Sequence, residues 1–234
     1  MNFILITGAS RGLGYCLAED YAAAGFSVLA AARNIRGEKL CLLKEKYKDR
    51  LILLSMDVSD SKSVEKAAEK AKQLIPHLDI IINNAAVHYP DTVNVLEEVN
   101  IENCLDTINI NAVGPLRVAK EFIGLLDKGT LKMLVNISSE AGSISDCTMG
   151  NWFDYNMSKA ALNMESKLLQ NYLSSRKITV LAIHPGWIRT DMGGPNAPLA
   201  PDEASKSIMA TIANNIGRLN SPLFINNVGR PMNY

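Results

Sequence analysis

An α/β fold of the doubly wound kind, seven parallel strands in one sheet with helices on both faces, is what this sequence predicts. Short runs rich in Val, Ile and Leu recur at residues 3–6, 27–31, 51–56, 78–82, 132–137, 179–183 and 222–225. Each is apolar on both faces, as a strand covered from both sides must be. Stretches of helical period fill the gaps at 13–24, 39–47, 64–74, 101–126, 155–173 and 202–216. Strand and helix alternate without an internal repeat or low-complexity linker, which is the pattern of a parallel sheet wound by helices.

In such a sheet ligands bind outside the carboxyl ends of the strands, so the residues that follow each strand carry the functional information. The first strand runs into Thr7-Gly8-Ala9-Ser10-Arg11-Gly12-Leu13-Gly14, and Gly14 opens the first helix. Glycines there permit a tight turn and let backbone N–H groups and a helix N-terminus approach a pyrophosphate. The second strand ends in Ala30-Ala31-Ala32-Arg33-Asn34, with no acid to hold a ribose 2′-hydroxyl. Arg33 instead offers a guanidinium fork to a 2′-phosphate, and Arg11 is placed to reach the same group. NADP(H) is therefore the expected cofactor. After the third strand stand Asp57 and Val58, with Asp57 also legible as an N-cap-like residue.

Length and composition agree with one domain, residues 1–234: 47% of the chain is hydrophobic, enough for one sizeable core. Lys plus Arg and Asp plus Glu each number 24 and form no block, which argues for a small-molecule ligand and against nucleic acid or an anionic membrane. The four cysteines lack metal-site spacing and disulfide density, so they are expected as reduced, buried thiols of a cytoplasmic protein, with no metal. Met1-Asn2 runs directly into the first strand without the basic flank and apolar region of a signal peptide, so export is not expected, and no apolar run reaches the roughly 20 residues of a membrane span. The Gly/Pro-rich stretch 193–201 is a lid candidate.

Further motifs follow the later strands: Asn83-Asn84-Ala85-Ala86, Asn111-Ala112-Val113-Gly114, Ser138-Ser139, Tyr155-Asn156-Met157-Ser158-Lys159, and the run from Pro185-Gly186-Trp187-Ile188-Arg189-Thr190 to Gly194. Together with the glycine loop, their order and spacing resemble the short-chain dehydrogenase/reductase family, a Rossmann-type fold. The last run and the C-terminal stretch resemble the small carbonyl reductases related to the sniffer and C-factor proteins. The resemblance implies that Asp57 and Val58 bracket the adenine and that Asn84, Ala85 and Ala86 line the cofactor. It also implies that Pro185, Gly186, Ile188 and Thr190 hold the nicotinamide carboxamide. Ala86 stands where the family usually has glycine, and would be strained if its φ were positive.

The chemistry of the catalytic group can be argued directly. Tyr155 and Lys159, four apart on a helix, share one face. Alone they would read as a helix boundary with a solvated charge; beside the other motifs they read as an acid and the ammonium that lowers its pKa. Ser139 would hydrogen-bond the substrate oxygen, with Ser138 its structural neighbour. Gly114-Pro115 should bend the helix at Asn111, which the resemblance has holding a water that links Lys159 to solvent. Lys159 would also hold the nicotinamide ribose. His184 reads as structural, Trp187 as pocket lining.

The expected reaction is hydride transfer between NADP(H) and a carbonyl or alcohol, with Tyr155 as acid and base. Segments 88–94, 144–154 and 193–200 carry few charges and suggest a neutral or apolar substrate. Long helices 101–126 and 155–173, with small residues Ala112, Gly114, Ala119, Ala160 and Ala161, suggest a homodimer or homotetramer. The rival class is a non-enzymatic NADP(H)-sensing or signalling protein, which would need the glycine loop and Arg33 but not the four catalytic groups together.

Overall fold

The computed structural model describes residues 1–89 and 96–234. Seven strands form one parallel sheet: β1 (Phe3–Thr7), β2 (Ser27–Ala32), β3 (Leu51–Ser55), β4 (Ile80–Asn83), β5 (Met133–Ile137), β6 (Thr179–His184) and β7 (Phe224–Asn226). They lie in the order β3-β2-β1-β4-β5-β6-β7. The winding reverses between β1 and β4, where Ile4, Leu5 and Ile6 pair with Ile80, Ile81 and Ile82. That reversal opens a crevice at the carboxyl ends, where ligands of such sheets bind.

The period-2 alternation of each strand feeds two cores. Ile4 and Ile6 face α1 (Gly12–Ala23), α2 (Glu38–Tyr47) and α7 (Pro201–Asn215), packing with Leu17, Leu40, Leu43, Ile208 and Ile212. Leu5 faces the other way, toward α3 (Ser61–Leu74) and α5 (Gly114–Leu126), with Val64, Val118 and Phe122. Each fully buried Leu or Ile contributes on the order of 1.5–3 kcal/mol, so the two cores supply the main driving force. Asp79 fixes the amino end of the sheet. Its Oδ1 accepts from Thr130 N, Thr130 Oγ1 and Leu131 N, and its Oδ2 from Phe3 N. Burial pushes that carboxyl up, but these bonds prevail and hold it below the usual range.

The long helix expected over 101–126 is interrupted. It divides into α4 (Ile101–Ile108), a π-helical turn (Asn109–Val113) and α5. Pro115 is the physical reason: it has no N–H for the Asn111 carbonyl in α register, nor for the Ile110 carbonyl in π register. Two further expectations are corrected. Only Cys104 is buried; Cys16 and Cys41 are half-buried and Cys147 is exposed, and none of the four is in a disulfide. The cap of α3 is Asp60, which accepts from Lys62 N, while Asp57 folds back on Ser59 instead.

Candidate active site

The strand ends open into one cleft of about 1300 Å³ that runs from Arg33 to Trp187. At its centre the loops after β1 and β4 are stitched together. Thr7 Oγ1 accepts from Asn84 N at 3.0 Å and Ala85 N at 2.9 Å, and Asn84 Nδ2 donates to Thr7 O at 2.9 Å and Gly8 O at 3.3 Å. Gly8 takes φ +68, a conformation L side chains rarely adopt, and a Cβ on Gly14 would lie 2.4 Å from both Asn84 Nδ2 and Gly8 O. The glycines thus let the loop close and the helix approach β1, leaving Ser10, Gly12 and Leu13 on the cleft wall. Ala86 does not have positive φ, so the strain considered for it does not arise.

At one end of the cleft Arg33 and Asn34 are exposed, with Asn34 Oδ1 accepting from Arg36 N. Asp57 Oδ1 accepts from Ser59 N and Oγ. Burial pushes that carboxyl up, but these bonds and the charges of Arg33 and Arg117 carry it lower. Val58 packs over Gly114, where a Cβ would meet its Cγ2 at 3.1 Å. Lys39 also lines this end and was missed in the sequence. Its signal was a cation in the first turn of the helix that follows Arg33. Arg11, expected beside Arg33, instead pairs with Asp191 at 2.9 Å across the mouth, both side chains exposed. That pair ties the glycine loop to the 186–201 segment. The segment is itself pinned by a bridge between Ile188 and Leu199 and by Arg189 Nη1 donating to Ala197 O and Pro198 O. Thr190 Oγ1 accepts from Gly193 N, and Trp187 Nε1 donates to Gly193 O.

The other end is built from buried side chains. Helix α6 (Phe153–Leu173) starts after Trp152, whose φ +54 and ψ 45 are left-handed. For a bulky residue that costs about 1–2 kcal/mol, a strain that such sites tend to hold. One turn into α6, Tyr155 and Lys159 share the cleft. Lys159 is 2% exposed, and its Nζ lies 5.5 Å from the Tyr155 ring centroid and donates to Ile137 O at 2.8 Å.

The expected lowering of the phenol is not found in the protein alone. Burial pushes Tyr155 up to about 12, the Ser139 hydroxyl opposing through a hydrogen bond, with the Asp154 and Glu140 charges adding to the rise. Burial also pushes Lys159 down to about 7. Burial thus works against the charged form of both groups.

Ser139 sits before the turn Glu140–Gly142 and accepts from Ala141 N. Ser138 is buried and donates to Asn163 Oδ1 at 2.6 Å, the structural role expected of it. His184 Nδ1 accepts from Glu140 N, which makes it a support of the same turn. Asn111 is 1% exposed; its Oδ1 accepts from Val87 N and its Nδ2 donates to Val87 O and Ser158 Oγ. Its side chain therefore braces the loop after β4 against α6. Met149, Trp152, Trp187 and Met192 complete this end. The 88–94 segment is described only through Tyr89; residues 90–95 lie outside the described residues.

Two hydroxyls on one wall of the cleft, with a lysine one helical turn further on, can bind a polarised oxygen and deliver a proton to it. The fold and this site define an oxidoreductase of the doubly wound α/β class. A family model described as short chain dehydrogenase matches residues 2–199, and the chain belongs to that family. It is 36% identical over 135 residues to the C-signal protein of Myxococcus xanthus, covering 58% of this chain and 80% of that one. Among solved structures, the carbonyl reductase Sniffer of D. melanogaster superposes with a TM-score of 0.88 at 28% identity over all of both chains. The NADPH-bound carbonyl reductase from chicken fatty liver gives 0.89 at 27% identity over 100% of this chain and 99% of that one.

Proposed function

We propose that this chain is an NADP(H)-dependent carbonyl reductase, acting between a carbonyl compound and its alcohol. The observation that carries the reading is the Ser139–Tyr155 hydroxyl pair, set over Lys159 and opening into the same cleft as the glycine loop. The residues suit the cofactor. The loop of Gly8, Ser10, Arg11, Gly12, Leu13 and Gly14 presents backbone to a pyrophosphate, and Asp57 and Val58 flank the adenine. Asn84, Ala85 and Ala86 line the middle, and Pro185, Gly186, Ile188 and Thr190 reach the nicotinamide end. Arg33, with Asn34 and Lys39 beside it, takes the 2′-phosphate, in keeping with the NADPH bound by the chicken carbonyl reductase. Arg11 is left to close the mouth with Asp191. When bound, NADP(H) supplies or takes up the hydride.

The protein's part is orientation and proton handling. Ser139 Oγ and Tyr155 Oη bind the carbonyl oxygen, and Tyr155 gives it the proton. Lys159 holds the nicotinamide ribose and, once charged beside bound nucleotide, draws the phenol down from about 12. Both Nδ2 protons of Asn111 are engaged and its Oδ1 accepts from Val87 N, so the water that links Lys159 to solvent falls to the main-chain carbonyl that Pro115 leaves without a donor. The test is NADPH oxidation across aldehydes, ketones and quinones, run beside NADH. Turnover with NADPH preferred by roughly tenfold or more supports the reading. Tight NADPH binding with no turnover on any carbonyl would favour the sensing class.

Two companions of this reading concern assembly and compartment. Ala112, Gly114 and Ala119, expected between subunits, are buried within the chain instead. The outer faces of α4, α5 and α6 nevertheless expose Ile101, Leu105, Leu116, Met164, Leu168 and Tyr172. An apolar face of that extent is suited to a second copy, and we read the protein as a homodimer or homotetramer. Light scattering that finds a monomer at micromolar concentration would count against it. Four unpaired thiols are in keeping with a cytoplasmic setting. Among the described residues no helix is long and apolar enough to cross a membrane.

A further inference from the structure

One titratable ring at the catalytic end has no part in the reduction as derived above. His88 lines the cleft two residues after Ala86, its side chain 15% exposed. Its ring centroid lies 5.2 Å from that of Tyr155 and 5.1 Å from that of Trp152. Nδ1 is buried, has no hydrogen-bond partner among the described residues, and lies 3.9 Å from Asp154 Oδ2. Asp154 is itself buried and accepts from Thr107 Oγ1 at 3.0 Å.

These positions settle what the ring can offer. Burial holds His88 below its ordinary range, against an opposing pull from Asp154, so at neutral pH it carries one proton. The Asp154 carboxylate, 3.9 Å from Nδ1, favours the proton on that nitrogen through its charge. Nε2 then keeps its lone pair, and it is the nitrogen left for a ligand in the cleft. An acceptor beside a carbonyl-binding tyrosine selects for a donor close to the reacting carbon. Trp152 packs on the His88 ring, and Met149, Trp187 and Met192, each partly open to solvent, add apolar surface to the same cleft.

We propose that His88 is a specificity-determining residue: its Nε2 accepts a hydrogen bond from a hydroxyl next to the reacting carbonyl, so that the site selects α-hydroxy carbonyl compounds with an apolar body. The inference rests on the carbonyl reductase reading. Its left-handed neighbour Trp152 then has a purpose, since the strained backbone puts an indole against the His88 ring and fixes its direction.

The test compares α-hydroxyacetophenone with α-methoxyacetophenone under saturating NADPH. The two have a similar body and a similarly activated carbonyl, but only the first has a donor. The wild-type protein is expected to favour the hydroxy compound roughly tenfold in kcat/KM. His88→Phe, which keeps a flat ring, should bring that ratio close to one. His88→Gln, which restores an acceptor, should recover part of the preference. A wild-type ratio near one, or a ratio that survives in a folded His88→Phe protein, overturns the proposal, as does turnover of other carbonyls with neither probe accepted. If no carbonyl compound is reduced at all, it is the reductase reading that fails, and this inference with it.

Discussion

The two ends of the cleft are built on opposite plans. The Arg33 end is made of backbone and solvent-exposed cations, while the Tyr155 end is anchored by side chains taken out of water, Lys159 2% exposed and Asn111 1%, beneath a rim of exposed apolar side chains. Exposed groups act one at a time and are screened by solvent, so each contributes modestly. Buried groups shift one another's protonation and are tied by short bonds, so removing one disturbs the set. The nucleotide end should therefore lose affinity in steps, and the catalytic end should lose rate nearly all at once.

The largest expected effect is at Tyr155. Tyr155→Phe removes the proton donor but keeps the ring, and kcat should fall by about 10²–10⁴-fold while NADPH affinity, read by fluorescence titration, changes by less than about threefold. Arg33→Ala comes next. It should raise the NADPH KM by roughly 10–100-fold and leave the NADH KM almost unchanged, since only the 2′-phosphate is lost as a partner. Equal loss with both nucleotides would break the contrast between the ends. Trp152→Gly is smaller and of mixed sign. It relieves the left-handed backbone, so the melting temperature should hold or rise by a few degrees, while kcat/KM drops by about tenfold as the wall beside His88 is removed. Arg11→Ala is smallest. Its exposed pair with Asp191 contributes less than about 1 kcal/mol to stability, and NADPH binding should suffer less than in Arg33→Ala.

A pH experiment sharpens the same contrast. Lys159 sits near 7 in the folded chain against 10.5 ordinarily, because burial disfavours its charge. Between those values the unfolded chain binds more protons than the folded one, so this group makes stability rise with pH from about 7 to about 10. Below 7 its full penalty stands. Urea midpoints taken across that window should climb in the wild type and climb less in Lys159→Met. Equal slopes would mean that the lysine is solvated in the folded protein.

Much of this was legible before any coordinates. β1 to β7 lie within a few residues of the apolar runs, because strands covered on both faces leave an unbroken signature. The glycine loop, Ser139, Tyr155 and Lys159 were legible because each stands at a strand end or on a helix face whose period fixes its direction. What could not be read was tertiary. The π turn depends on where Pro115 removes a donor, and the partners of Asn111 come from a loop 24 residues before it and from Ser158, 47 residues after it. Lys39 lacked a motif and became visible only when the fold brought it to the cleft, and His88 was legible as the start of a pocket segment but not as a neighbour of Tyr155. Arg11 was placed by spacing alone, and a carboxylate 180 residues on claims it. For the phenol, proximity to Lys159 was legible and the burial that works against the charge of both groups was not.

The central claim is that the buried end of the cleft moves hydride to a carbonyl carbon and a Tyr155 proton to its oxygen. NADPH deuterated at the transferring position of the nicotinamide, incubated with the protein and an aldehyde or ketone, tests it directly. The account predicts an alcohol that carries the deuterium on its carbinol carbon, seen by mass spectrometry, with the label nearly absent when Tyr155→Phe replaces the wild type. Tight binding of the labelled nucleotide with no deuterium in any product would contradict it and return the protein to the sensing class.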